Sequence, residues 1–223
     1  MRDPGSTDSV PLARRNGGSE YVFLKSLKPE TSTASVDPVE VVRRFYPRFV
    51  DGARVRKFLV PILPDFHDRL FPEVKGHQSR ISDFSEIFAE GNTIRKAYLS
   101  RSSIGGVVPG SVVLFYRSKD SHAMTSMGVV EQVARCKTAE DVMARVGKRS
   151  VYTAAEVKRM CAQGEVLVLL FWHVADVPRA PTLDQMVSLG IIKGAPQSIQ
   201  ELSESNYDVL KEVAELDKRA TLD

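Results

Sequence analysis

Three groups of residues in this chain have the types and spacing to contact a nucleic acid. Asn92, Arg95, Lys96 and Tyr98 fall within GNTIRKAYL (91–99), which places an amide, two cations and a ring close together. Amide and guanidinium groups make the contacts that base edges and phosphates accept. Tyr116, Arg117 and Ser118 end the run VVLFYRS (112–118), and Trp172 ends VLVLLFW (166–172). If those runs are neighbouring strands, Tyr116 and Trp172 form the walls of a pocket for one flipped or single-stranded base. Stacking on such a ring contributes about 1–3 kcal/mol per base. Lys148, Arg149 and Tyr152 lie in GKRSVY (147–152), a basic pair after a glycine with a ring three residues on, which suits phosphate contact. Each group also has an ordinary alternative: Asn92 as a turn cap, the cations as solvated surface, the rings as core.

Other chemistries are less well supplied. His67, His77, His122 and His173 lack the spacing to one another or to cysteine that a zinc site uses. Ser118, Asp120 and His122 share one short stretch, whereas hydrolytic triads draw on separate elements, and no nucleophile elbow is present. A non-enzymatic protein without metal or cofactor is therefore expected. Cys136 and Cys161 are expected as buried thiols.

The elements that must position these groups can be read in order. Residues 1–19 are polar and without periodicity, and are expected as a disordered tail. Residues 20–90 alternate strand and helix. Tyr21-Val-Phe-Leu reads as a strand, and Asp37-Pro-Val-Glu as a helix start with Asp37 as its cap. Arg56–Leu63 reads as a strand that Pro61 confines to an edge or to its end. Short helices follow, the first capped by Asp65 and the second by Ser82. From 91 to 174, four or five short apolar strands are punctuated by Pro-Gly and Gly, a pattern that usually closes into a small barrel. Two short helices interrupt them, with Thr138 and Thr153 as caps. A helical stripe over 183–189 and a last amphipathic helix over 204–219 complete the chain.

Composition sets the frame. At 223 residues, 43% hydrophobic and 26% charged, this is an ordinary globular chain of one or two domains. The longest apolar run, Val166–Trp172, is too short for a bilayer, and the N-terminal residues have no apolar core of the signal-peptide kind. No membrane association and a cytoplasmic location are expected. The net charge of +3 is unevenly spread: residues 43–57 carry six cations against Asp51, and 201–217 carry six acids against Lys211. That asymmetry marks either an anionic partner or two surfaces that attract each other within the fold.

The motifs GNTIRKAYL (91–99), PGSVVLFYRS (109–118), SMGVVE (126–131), GKRSVYTAAEV (147–157), VLVLLF (166–171) and APQSIQEL (195–202) resemble a PUA-like domain, the superfamily that includes the ASCH, EVE and YTH domains. The resemblance spans residues 54–205. More narrowly, it is to the module that follows a GNAT-type acetyltransferase domain in some bacterial proteins, where a segment similar to KFLVPILPDFHDRLFPE (57–73) precedes it. It implies a small, partly open PUA-like β-barrel of about five strands at 91–205, flanked by short helices; with an α/β segment at 20–90 before it and a helix at 206–223 after it, an α+β fold is expected. It further implies RNA or a modified DNA base as partner, or, alternatively, an accessory role beside a GNAT-type acetyltransferase or a toxin-type system. The acetyl-CoA motif of GNAT enzymes, a Gly-rich turn at a helix start, has no counterpart in this chain.

Overall fold

The computed structural model describes residues 7–13, 19–25, 37–72, 93–216 and 220–222. β1 (Thr7–Ala13), within the stretch expected as a tail, pairs antiparallel with β2 (Ser19–Lys25), which contains the strand expected at Tyr21–Leu24. Then follow α1 (Pro38–Phe45), β3 (Phe49–Val50), β4 (Lys57–Ile62), α2 (Pro64–Leu70), β5 (Arg95–Ser100), β6 (Val112–Arg117) and β7 (Ala123–Cys136). The chain continues through α3 (Ala139–Val146), α4 (Ala154–Ala162), β8 (Val166–Asp176), α5 (Leu183–Ser188), β9 (Gln200–Leu202), α6 (Glu204–Val213) and β10 (Thr221–Leu222).

The helices start where their caps dictate. Asp37 accepts from the amide of Val39, Thr138 from Asp141, and Thr153 and Glu156 form a reciprocal capping box, each satisfying amides that have no partner within the helix. The expected cap at Asp65 is corrected: α2 begins at Pro64, with Leu63 as a cap lacking a side-chain bond, because proline needs no amide partner at the first turn. The expected helix at Ser82 lies outside the described residues.

Six strands form one sheet in the order β5-β8-β7-β6-β4-β9, antiparallel except where β4 lies parallel to β6. Its two faces carry two cores. One gathers Phe58, Val60, Tyr98, Phe115 and Phe171 with Leu70 and Phe71 at the end of α2, Val142 and Val146 of α3, and Val157 of α4. The other gathers Leu59, Leu114, Tyr116, Val129 and Trp172 with Val41, Val42 and Phe45 of α1, Met186 of α5, and Tyr207 and Leu210 of α6. The alternation is that of a pleated strand: Val113 and Phe115 face one core, Val112, Leu114 and Tyr116 the other.

The expectation of a closed or nearly closed five-stranded barrel over 91–174 is corrected as well. The region 91–174 supplies four strands, β5 to β8, and the sheet is completed by β4 and β9 from outside it. No main-chain ladder joins β5 to β4, so the sheet is open. GKRSVY, between the two short helices, forms a turn of 3-10 helix at 147–149 and an extended link into α4 rather than a further strand. Pro61 sits beyond Leu59, where the pairing of β4 with β9 stops, so its missing amide removes no bond on that side.

Candidate nucleic-acid interface

The open seam between β5 and β4 is held by side chains. The Tyr98 hydroxyl donates to the carbonyl of Pro61 at 2.7 Å. The Tyr152 hydroxyl lies 3.3 Å from the Leu99 amide and 3.5 Å from its carbonyl, capping main-chain groups on the free edge of β5. Burial pushes both phenols well above their usual range, so they act as neutral hydroxyls. Phe66 of α2 stacks on Tyr152 with centroids 4.7 Å apart, and the Arg69 guanidinium lies 4.6 Å from the Phe66 ring. Arg69 also binds both oxygens of Glu156 (3.0 and 3.1 Å) and the carbonyl of Val151 (2.7 Å), so it ties α2 to α4. Burial raises the Glu156 carboxyl, but the bonds from Arg69 and from the Thr153 amide outweigh it and hold the pKa below the usual range.

What this arrangement leaves open is a cleft of about 630 Å³. Its walls are Pro61 to Leu63, Tyr98 to Ser102, the Glu156–Gln163 side of α4, and Gln197 with Ser198. Phe66 and Tyr152, stacked on each other, complete the lining, together with the hydroxyls and side-chain amides of Ser100, Ser102, Gln163 and Gln197. Arg101 and Arg159 both line the cleft and are exposed. Among the described residues neither has a carboxylate partner. A second hollow of about 240 Å³, lined by Tyr116, Ser118, Lys119 and His122, shares Pro61, Leu63 and Gln197 with the cleft.

No protein-family model matches the sequence, and no curated protein matches it significantly. Among solved structures, the crystal structure of ASCH from Zymomonas mobilis matches with a TM-score of 0.52 at 13% identity, covering 70% of this chain and 94% of that one. A point mutant of the same protein gives a TM-score of 0.54, again at 13% identity, covering 70% of this chain and 95% of that one. This chain has the PUA-like fold of an ASCH domain.

Within that ASCH-type fold the residues expected at a site are dispersed. Tyr98 and Tyr152 do meet, at the cleft. Tyr116 and Ser118 line the smaller hollow, where the Tyr116 hydroxyl lies 3.2 Å from His122 Nδ1 and the Ser118 hydroxyl donates to Ile62 at 3.0 Å. Arg95 and Arg149 converge on Glu131, which a β-bulge between Val130 and Gln132 sets out of the regular pairing. Arg117 is held by Asp68 and Asp120. Lys96 is 1% exposed, with its ammonium 5.6 Å from the Phe71 ring. Asn92 and the Lys148 side chain lie outside the described residues.

The pocket walled by Tyr116 and Trp172 is not formed. Both rings belong to the core against α1, α5 and α6, and Trp172 is 9% exposed beneath the Arg95 guanidinium. Sequence reading missed Arg101, Arg159, Gln163 and Gln197. The helical spacing of Glu156, Arg159, Met160 and Gln163 was the available signal, since it places them on one face of α4.

The uneven charge also finds its place. Arg56 pairs with Glu201, Lys57 with Glu204, and Lys211 with Asp51. Two of the six cations of the basic stretch, Arg56 and Lys57, are therefore matched by the acidic one inside the fold, while Arg43 and Arg44 pair with Glu40. No helix among the described residues is long and apolar enough to cross a membrane.

Proposed function

We propose that this protein binds single-stranded nucleic acid, RNA or DNA with a modified base, and seats one unstacked nucleotide in the cleft at the β4–β5 seam. The observation that carries the reading is the pair Arg101 and Arg159, two exposed residues that line one cleft of about 630 Å³ and have no carboxylate partner among the described residues. That volume lies in the range of small-ligand sites. Arg69, Arg95, Arg117 and Arg149 are committed to carboxylates, so Arg101 and Arg159 are the cations available to phosphate here. Ser100, Ser102, Gln163 and Gln197 supply donors and acceptors for base edges, as expected of a protein that reads splayed bases by hydrogen bonds. Glu156, the one carboxylate of the lining, is tied to Arg69, which favours binding over acid–base catalysis. The test is fluorescence anisotropy with single-stranded RNA and DNA oligonucleotides, with and without methylated bases. Binding at low salt that weakens as salt rises supports the reading; no binding to any of them at low salt overturns it.

A further inference from the structure

The smaller hollow beside the cleft has no role in seating one nucleotide, yet it continues the same surface. Pro61, Leu63 and Gln197 line both, so the two adjoin along a ridge made of these residues. Leu63, one of them, is 48% exposed. Beyond it the β6–β7 turn presents Lys119 and His122, both at positive φ (76° and 46°). Side chains other than glycine adopt that region rarely and keep it only where the surroundings enforce it. Here the enforcement is visible. Arg117 clamps Asp120 through Nε and Nη2, and Asp120 accepts from the Ser121 amide at 2.6 Å. The Ser118 amide donates to Ile62 at 2.9 Å, and the Leu183 amide donates to the His122 carbonyl at 2.7 Å. The turn is thus a fixed platform rather than a loose loop, and Lys119 has no carboxylate partner among the described residues. The Tyr116 hydroxyl lies 3.2 Å from Nδ1 of His122, which fixes the ring beside the hollow that both residues line.

We infer that the nucleic-acid site extends over the Leu63 ridge into this hollow, which takes the phosphodiester and adjoining sugar of a neighbouring nucleotide. The inference rests on the cleft being the base site. At about 240 Å³ the hollow is much the smaller of the two, which suits a backbone group rather than a second base. The exposed Leu63 side chain then lies under the strand as it crosses, an apolar support between two cationic ends, Arg101 with Arg159 on one side and Lys119 on the other.

Calorimetric titration of the whole protein with the four nucleoside monophosphates and with a mixed-sequence RNA tetranucleotide tests this. The tetranucleotide is expected to bind about tenfold or more tighter than the best monophosphate. Lys119→Asn, which keeps a residue tolerant of positive φ, should weaken the tetranucleotide several-fold and leave the monophosphate unchanged. Leu63→Ser, on an exposed side chain, should act in the same direction and serves if Lys119→Asn fails to fold. A tetranucleotide that binds no tighter than a monophosphate, or variants that weaken both probes equally, overturn the extended site while leaving the cleft intact. Absence of binding by every probe removes both.

Discussion

The Tyr98 hydroxyl reaches across the seam of the sheet to the Pro61 carbonyl, 2.7 Å away, and takes the place of the ladder that would close a barrel. A ladder at this point meets two obstacles. Pro61 has no amide to give, and the Tyr152 hydroxyl already engages the Leu99 main chain. The sheet therefore stays open, and the opening becomes the cleft. Tyr98→Phe keeps the ring and removes the bond, which should cost about 1 kcal/mol, read as a lower urea midpoint at unchanged slope. An unaltered midpoint would show that the seam holds without it.

His67 makes stability depend on acid. Its ring is 1% exposed, with Nε2 2.6 Å from the Thr125 hydroxyl and Nδ1 3.1 Å from the Arg117 guanidinium. Burial, reinforced by Arg117 and opposed by Asp68, Asp120 and Asp176, lowers its pKa to about 4. A histidine held neutral in the fold but free to charge when unfolded contributes fully above its unfolded pKa, and that contribution is lost as pH falls through the window towards 4. The loss is expected to approach about 3 kcal/mol. Denaturation at pH 7 and pH 4.5 should show it, and His67→Gln should flatten the dependence. A stability equal at both pH values would contradict the assignment.

Trp172 separates core packing from stacking. Its position in the core against α1, with Tyr46 6.2 Å away and Arg95 over its face, predicts that Trp172→Ala opens a cavity and costs about 3–5 kcal/mol. Chemical denaturation checks this. A small stability loss joined to a loss of oligonucleotide affinity would return the ring to the binding surface.

Tyr207 anchors α6. Its hydroxyl donates to Asp51 at 3.0 Å, Asp51 is wholly buried, and the Lys57 and Lys211 ammonium groups each lie 5.1 Å from its ring. Tyr207→Phe withdraws one donor from a buried carboxylate and should cost about 1–3 kcal/mol. Limited proteolysis should then cut near α6 sooner than in the parent. Equal cleavage rates would show that apolar contacts alone hold the helix.

How far the sequence revealed this molecule follows from the range of each interaction. Asp37, Thr138 and Thr153 announced their helices because a cap and its amide lie within three residues. Val112–Arg117 and Val166–Trp172 announced strands by apolar runs of strand length. Gln200–Leu202 carries no strand pattern and exists by pairing with Lys57–Leu59, so only the fold reveals it. Closure was misjudged for the same reason, since it depends on whether two strands distant in sequence pair. Arg95 and Arg149 looked available because nothing nearby in sequence shows that the bulge at Glu131 neutralises them. Arg101 and Arg159 drew no notice because only the fold shows that residues 58 positions apart line the same cleft.

The most direct measurement of the central claim is the salt dependence of oligonucleotide affinity in two charge-reversal variants. Arg101→Glu/Arg159→Glu should lower affinity for single strands and reduce the slope of log K against log salt by about 1.4, the value for two lost phosphate contacts. Arg95→Glu, which removes one of two cations from Glu131, should leave that slope nearly unchanged. The reverse pattern, with the slope insensitive to Arg101 and Arg159 and lowered at Arg95, would place the nucleic acid elsewhere and contradict the cleft.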